Sequence, residues 1–308
     1  MKFKNVIRAN QFTNPNELKE IFKITDEMKK MDENGTLGQP LLGKVMASIF
    51  YEPSTRTRLS FETAMLKLGG SVTSAENAAG HSSAKKGESL EDAIKVISAY
   101  VDVLVLRHPD DNSGDIAEKC SQVPVLNGGS GKAEHPTQAL LDMYTIQNEL
   151  SRLDNLKIAL VGDLLYGRTV HSLLTLLLPF KNISFYLVAP DLLKMPSKYI
   201  DQIKKAGADY QELNSFEDIL SEVDVFYMTR IQKERFENPA DYDKLKGVYV
   251  LDAKHLKKMK PEARILHPLP RVDEINVNVD NDPRAAYFRQ AKNGQYVRMA
   301  LLKLLLTS

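Results

Sequence analysis

Residues 44–70 read KVMASIFYEPSTRTRLSFETAMLKLGG. The run KVMASIF (44–50) has the length and apolar content of a buried strand, and RLSFETAMLKLGG (58–70) has helical spacing that closes on a Gly-Gly stop. The stretch therefore reads strand, polar turn, helix. Ser54 and Thr55 are N-cap residue types, and a helix N-terminus offers free N–H groups and the positive end of a dipole, which together attract anions. Arg56 adds a guanidinium that can grip a phosphate by two hydrogen bonds, and the hydroxyls of Ser54, Thr55 and Thr57 can take its remaining oxygens. Any two of these residues describe a capped surface helix with solvated arginines. All of them at one strand end describe an anion site.

The same alternation recurs along the chain without a fixed period. Apolar runs stand at VDVLVL (101–106), VPVLN (123–127), KIALVGD (157–163), ISFYLVA (183–189), VDVFYMT (223–229), GVYVLD (247–252) and ARILH (263–267), separated by turns and helical stretches. This predicts an α/β fold of two domains, each a mainly parallel sheet covered by helices. The helix HPTQALLDMYTIQNEL (135–150), with Pro136 at its first position, joins a domain over 1–150 to one over 151–284. The tail from 285 to 308 reads as a helix, broken or kinked near Asn293-Gly294, that packs back on the first domain.

With 41 basic and 40 acidic residues among 308, the net charge is +1, so no global field points to nucleic acid or an anionic membrane. Anion recognition must be local. The single cysteine, Cys120, excludes an intramolecular disulfide and any zinc site built on paired cysteines. The start MKFKNVIRANQF lacks a signal-peptide core, and the longest apolar runs are too short to cross a bilayer, which predicts a cytoplasmic protein. The chain has no G-x-G-x-x-G after a strand, no G-x-x-x-x-G-K-[ST], no H-E-x-x-H and no G-x-S-x-G, and its six histidines are scattered. The expectation is chemistry by positioning and electrostatics, with no metal, no cofactor and no covalent intermediate.

Further polar groups follow strands: Arg107-His108, His135, Arg168, Arg230 and HPLPR (267–271). In open α/β sheets ligands bind outside the carboxyl ends of strands, so these groups are expected to converge on one interdomain cleft. Arg56, Arg107, Arg168 and Arg230 are permanent cations that suit a substrate set of phosphate and carboxylates, with Glu52 expected to pair with one of them in the free protein. Taken singly, Arg168 or Arg230 reads as a surface salt bridge.

The motifs FYEPSTRTRLSFE, SSAKKGES, LRHP, HPTQALLD, GDLLYGRTVHSL, TRIQKERF, HPLPRVDEI and YFRQAKNGQYVRMALL, in this order, resemble the catalytic chain of the aspartate carbamoyltransferase family over essentially the whole length. The resemblance implies transfer of the carbamoyl group of carbamoyl phosphate to the amine of L-aspartate, in pyrimidine biosynthesis. It implies that Ser54, Thr55, Arg56, Thr57 and Arg107 hold the phosphate, that His135, Thr57 and Arg107 contact the carbamoyl oxygen, and that Gln138 binds the carbamoyl amide. Arg168, Arg230 and Gln232 would take the carboxylates of aspartate, while Pro268 and Leu269 present backbone carbonyls to the amine and the carbamoyl NH2. One of the two X-Pro bonds in HPLP is a candidate cis bond. The loop AAGHSSAKKGES would lend Ser82 and Lys86 to a neighbouring subunit, which makes a homotrimer with shared active sites the minimal active unit; regulatory chains are further partners the family allows. The stretch 230–247 resembles the family's polar loop over aspartate.

Two positions depart from the pattern: Leu165 stands where lysine is expected and Glu134 where glutamine is expected. Ornithine carbamoyltransferase shares the phosphate half, but its expected HCLP and S-M-G signatures are here HPLP and TRIQKERF. Another transcarbamylase, or a non-catalytic anion-binding paralogue, completes the alternatives.

Overall fold

The position of each strand within its sheet decides how its sequence reads. The computed structural model describes residues 3–78, 87–236 and 238–307. Its contacts divide the chain into two units, 1–141 together with 292–308, and 142–291.

In the first unit, α1 (Pro15–Glu33) precedes an all-parallel sheet of β1 (Val45–Phe50), β2 (Ser71–Glu76), β3 (Val103–His108) and β4 (Val125–Ser130), in the order β2-β1-β3-β4. Parallel neighbours need crossovers, and α2 (Thr55–Lys67), α3 (Leu90–Ser98) and α4 (Ser113–Cys120) lie between the strands in sequence. Ala47, Ile49, Leu104, Leu106 and Val125 bury one face against Ile94 of α3 and Ala117 of α4. The inner strands β1 and β3 are covered on both faces and so are almost continuously apolar. The edge strand β2, SVTSAE, is exposed or half-buried throughout. It carries no apolar run, and the sequence pattern passes over it.

The chain leaves this unit within α5 (Pro136–Leu150). The second sheet, again all parallel, comprises β5 (Lys157–Val161), β6 (Ser184–Val188), β7 (Asp209–Leu213), β8 (Val225–Met228) and β9 (Arg264–Leu266) in the order β7-β6-β5-β8-β9. With it run α6 (Arg168–Leu177), α7 (Ser197–Ala206), α8 (Pro239–Leu245) and α9 (Ala253–Leu256). Val161, Val188, Phe226, Met228, Leu251 and Ile265 share one core cluster. The edge strand β7, DYQEL, escapes the sequence pattern for the same reason as β2.

Two expectations are corrected. Residues 247–252 form no sheet strand: β9 occupies the place beside β8, in the register Val225↔Arg264. Leu251 instead makes a single parallel bridge to Ile275, and its side chain and that of Tyr249 supply the apolar pattern by entering the core. The tail forms α10 (Tyr287–Leu306), which runs through Asn293-Gly294 without a break. A Cβ on Gly294 would stand 2.7 Å from Arg298 Nη1 and 2.9 Å from Leu141 Cδ2, so glycine is there for close packing. Arg298, buried, donates to Ser60 Oγ at 2.9 Å and lies over the Phe61 ring at 4.9 Å.

A sharper constraint acts at Gly162, directly after β5. Its φ is +116°, and an added Cβ would fall 2.2 Å from the backbone oxygen of Thr229, which follows β8. Gly207, past the end of α7, also has positive φ (+69°) but open space around it. Gly162→Ala is expected to lower stability by about 3 kcal/mol and Gly207→Ala by about 1 kcal/mol, because only the first adds a backbone clash to the conformational cost. Denaturant midpoints of the two variants check this; equal losses would show that the crossing at Thr229 is not what Gly162 serves.

Candidate active site

In the first sheet the chain leaves β1 toward β2 and continues to β3 on the other side of β1. The carboxyl ends of β1 and β3 thus flank the point where strand order reverses, where open α/β sheets bind ligands. Ser54 is the N-cap residue of α2 but makes no side-chain cap hydrogen bond. The first intrahelical bond runs from the Arg58 N–H to the Ser54 carbonyl at 3.2 Å, so the N–H groups of Thr55, Arg56 and Thr57 have no carbonyl within their own helix. Helices α1 and α3 differ, since Asn14 and Ser89 cap them. Thr57 is buried, while Thr55 and Arg56 are exposed. The second arginine of the motif is diverted: Arg58 pairs with Glu76 at 2.8 Å and Glu62 at 3.6 Å.

Arg107, at the end of β3, lies in register with Phe50, and its carbonyl accepts the Tyr51 N–H at 2.8 Å. Glu52 Oε2 stands 3.4 Å from Arg107 Nε, the pairing expected from the charge count. The ladder to β4 is irregular between Leu106 and Arg107, which brings Arg107 opposite Gly129. His108 packs edge-on against Tyr51 at 4.5 Å, and burial holds its pKa below the ordinary value against the pull of Asp110 and Glu52.

Within β4, Asn127 Oδ1 accepts the Gly129 N–H at 2.8 Å and its Nδ2 donates to the Ile7 carbonyl at 2.9 Å. The Ser130 N–H donates to the Glu134 carbonyl at 3.1 Å and turns the chain into α5. The His135 carbonyl accepts from the N–H groups of Gln138 (3.0 Å) and Ala139 (3.2 Å), so His135 stands at the start of this helix; both His135 and Gln138 are buried. Glu134, one of the two departures, accepts the Ala9 N–H at 3.1 Å and fastens the N-terminal segment beside this turn.

In the second sheet the reversal falls between β5 and β8. Thr229 Oγ1 accepts the Asp163 N–H at 3.1 Å and donates to the Val161 carbonyl at 3.3 Å. Asp163, fully buried, accepts the Tyr166 N–H at 2.9 Å and Gln232 Nε2 at 3.3 Å, which ties the loop after β5 to the loop after β8. Burial pushes the Asp163 carboxyl above its ordinary pKa, although hydrogen bonds from Tyr166, Gln232 and the Leu165 backbone act in the opposite sense. The other departure, Leu165, therefore serves this turn through its backbone. Arg168 opens α6, whose N-cap, Gly167, offers no side chain. Arg230 lines a recess with Gly162, Thr229, Tyr242, Lys246 and Glu274. The stretch 230–247 contains helix α8, opened by Asn238, which accepts the Ala240 N–H at 3.1 Å, so it is not loop throughout.

After β9 come Pro268 and Leu269, both half-buried; Leu269 has φ +52°, and the Leu269–Pro270 bond is cis. Arg271 turns away to Asp280, with Nη2 at 2.6 Å from Oδ2, and to the Tyr287 hydroxyl at 3.1 Å. Ser54, Thr55, Arg56, Thr57, Arg107, His135 and Gln138 thus belong to the first unit, and Arg168, Arg230, Gln232, Pro268 and Leu269 to the second. Ser82 and Lys86 lie outside the described residues. Sequence reasoning missed Asp163 and Glu274, whose partners are largely backbone N–H groups that no motif announces. Among the described residues no cluster of His, Cys, Asp or Glu could hold a metal ion, and no helix is long and apolar enough to cross a membrane.

The family model for the aspartate/ornithine carbamoyltransferase carbamoyl-P binding domain matches residues 4–148, and that for the Asp/Orn binding domain matches residues 154–305. The aspartate carbamoyltransferase catalytic subunit of Methanocaldococcus jannaschii is 50% identical over 290 residues, 93% of this chain and 94% of that protein. The chloroplastic aspartate carbamoyltransferase of Arabidopsis thaliana is 49% identical over 303 residues, 98% of this chain and 77% of that protein. Among solved structures, aspartate transcarbamoylase from Trypanosoma cruzi in complex with carbamoyl phosphate and aspartate matches with a TM-score of 0.93 at 40% identity, covering 99% of this chain and 97% of that one. With both family models matched in chain order and half of its residues shared with such relatives, the chain belongs to the aspartate/ornithine carbamoyltransferase family.

Proposed function

We propose that the chain transfers the carbamoyl group of carbamoyl phosphate to the amine of L-aspartate, giving N-carbamoyl-L-aspartate and phosphate. Relatives at about half identity are named aspartate carbamoyltransferase, and the matching Trypanosoma cruzi enzyme was solved with both of these substrates. The observation that favours aspartate over ornithine is the pair Arg168 and Arg230 with Gln232 beyond β5 and β8. Two guanidiniums suit a dicarboxylate and repel a diamine.

In this reading the first unit, with the C-terminal helix, takes carbamoyl phosphate. The uncapped N-terminus of α2, with Ser54, Thr55, Arg56 and Thr57, and Arg107 hold the phosphate, and Gln138 binds the carbamoyl amide. The second unit takes aspartate by Arg168, Arg230 and Gln232, with the carbonyls of Pro268 and Leu269 accepting from its amine. The neutral amine attacks the carbamoyl carbon, the C–N bond forms, and the tetrahedral oxyanion is stabilised by His135, Thr57 and Arg107. The dipole at the helix N-terminus favours the uncharged imidazole of His135, whose single ring N–H donates the hydrogen bond. Collapse breaks the C–O bond to phosphate, and a phosphate oxygen takes the amine proton. The acyl phosphate is already activated, so the step needs orientation more than acid–base help and calls for no metal or cofactor.

The active assembly is a cytoplasmic homotrimer in which Ser82 and Lys86 complete the neighbouring subunit's site. Mixing and reassembling two inactive variants, Lys86→Ala and Arg56→Ala, then restores activity, because some sites carry both intact residues. No recovery on mixing would sink the shared-site reading.

Two further outcomes follow for purified protein. Carbamoyl transfer appears with L-aspartate and is at least a hundredfold weaker with L-ornithine; the reverse preference would mean that Arg168 and Arg230 are misassigned. Arg230→Met raises KM for aspartate about tenfold or more, the equivalent of one lost charge-assisted hydrogen bond, and leaves the affinity for carbamoyl phosphate within about twofold.

A further inference from the structure

The turn that offers the Pro268 and Leu269 carbonyls is held by a polar clamp of buried side chains. The His267 ring is 1% exposed and Glu274 is 5% exposed. His267 Nδ1 accepts the Leu269 N–H at 2.7 Å, and His267 Nε2 lies 2.7 Å from Glu274 Oε1. A backbone N–H can only donate, so Nδ1 must carry the lone pair and the ring proton must sit on Nε2, directed at the carboxylate. The second oxygen of Glu274 accepts the N–H groups of Val272 (3.0 Å) and Asp273 (3.2 Å). Gln290 of α10 receives the His267 N–H on Oε1 at 2.9 Å, and its Nε2 donates to Asp142 Oδ1 at 2.6 Å. Asp142 in turn takes the Tyr227 hydroxyl of β8 on its other oxygen at 2.8 Å.

Every link in this chain has a single sense of donation, from Tyr227 and Gln290 to Asp142, and from Leu269 through His267 to Glu274. Burial alone would raise the Glu274 carboxyl pKa, but the bonds from His267 and the Val272 backbone hold it below the ordinary value. The clamp closes the loop from both ends, since Glu274 grips residues 272 and 273 while His267 grips residue 269. Leu269 is held at φ +52°, a conformation a leucine leaves readily when its N–H has no fixed partner.

We propose that His267, oriented by Glu274, is a positioning residue for carbamoyl transfer, fixing the Leu269 turn so that its carbonyls meet the aspartate amine. This rests on the assignment of those carbonyls given above. Neither side chain touches substrate; each acts through the backbone of residues 268 and 269.

The experiment compares His267→Phe, His267→Asn and Glu274→Gln in the purified enzyme, with inorganic phosphate as the probe of the other half-site. Phenylalanine keeps the ring volume and removes the acceptor. It is expected to lower kcat/KM for aspartate by about 10- to 100-fold, the effect of misplacing a reacting group by a fraction of an ångström to one ångström, while phosphate affinity stays within about twofold. Asparagine can accept the N–H two residues on, as in an Asx turn, and should recover most of that loss. Glutamine at 274 has one acceptor oxygen where two are used, so Glu274→Gln should lose activity toward aspartate in the same direction, and it tests the clamp even where His267→Phe does not fold. Aspartate kinetics unchanged in His267→Phe or Glu274→Gln, equal losses in His267→Phe and His267→Asn, or a parallel loss of phosphate affinity would overturn the proposal. A wild-type protein without aspartate-dependent transfer would instead refute the functional reading, before any variant is made.

Discussion

A parallel strand cannot return to its neighbour without a crossover, and every crossover departs from the carboxyl end of its strand. That constraint gathers the loops of each sheet of this chain on one side. In the order β2-β1-β3-β4 the loops after β1 and β3 diverge, and in the order β7-β6-β5-β8-β9 those after β5 and β8 diverge. Between diverging loops no third backbone segment fills the space, so side chains and helix N-termini there are available to a ligand. The helices that follow β1 and β5, namely α2 and α6, have N-caps without side-chain cap bonds. A side-chain oxygen at either cap would occupy the N–H groups that an anion needs, so the missing caps are consistent with binding, at a cost of about 1 kcal/mol each in helix stability.

Arginine is the other half of the arrangement, and its fates differ by position. Arg58, Arg271, Arg284 and Arg298 are engaged within the scaffold, with Glu76, Asp280, Asp282 and Ser60 respectively. Arg56 lies in the first turn of α2, Arg168 opens α6, Arg107 lies near the carboxyl end of β3 and Arg230 follows β8. Glu52 stands 3.4 Å from Arg107 as a partly exposed pair, worth only about 0–1 kcal/mol, so under the proposed reading it could give way to a phosphate. A fully buried bidentate partner would hold the guanidinium too firmly to release it.

The sequence made the inner strands legible because burial on both faces demands continuous Val, Ile and Leu, and it hid β2 and β7 because an edge strand facing water demands nothing of the kind. It misread 247–252, where apolar side chains enter the core from an extended segment, and Gly294, where a helix needs glycine for close approach to Leu141. Position at or after a strand end is what singled out Arg56, Arg107, Arg168, Arg230 and His135 as candidates, and only their number together, not any one of them, pointed to an anion. The groups that hold the neighbouring turns were not legible. Asp163 and Glu274 act on backbone N–H groups, and every residue supplies one, so no particular neighbour in the sequence betrays the partnership. Glu134 is the same case: read as a departure beside His135, it serves Ala9, 125 residues away.

This asymmetry has a physical origin. A group that binds substrate must project a particular chemistry outward, and that chemistry limits the residue type. A group that positions must only complete a local geometry, and many residue types could do so in some backbone. What singles out His267 is the conformation it serves. A leucine at φ +52° costs about 1–2 kcal/mol relative to an ordinary backbone. One hydrogen bond of ordinary strength, about 1 kcal/mol net, scarcely offsets this. The His267 bond to Leu269, reinforced by a carboxylate that fixes the ring and itself grips the next two N–H groups, can do so with a margin. The turn therefore depends on all three side chains of the chain Gln290, His267 and Glu274 being satisfied together, and under the proposed reading the carbonyls of residues 268 and 269 gain their fixed direction from atoms that never touch the amine they meet.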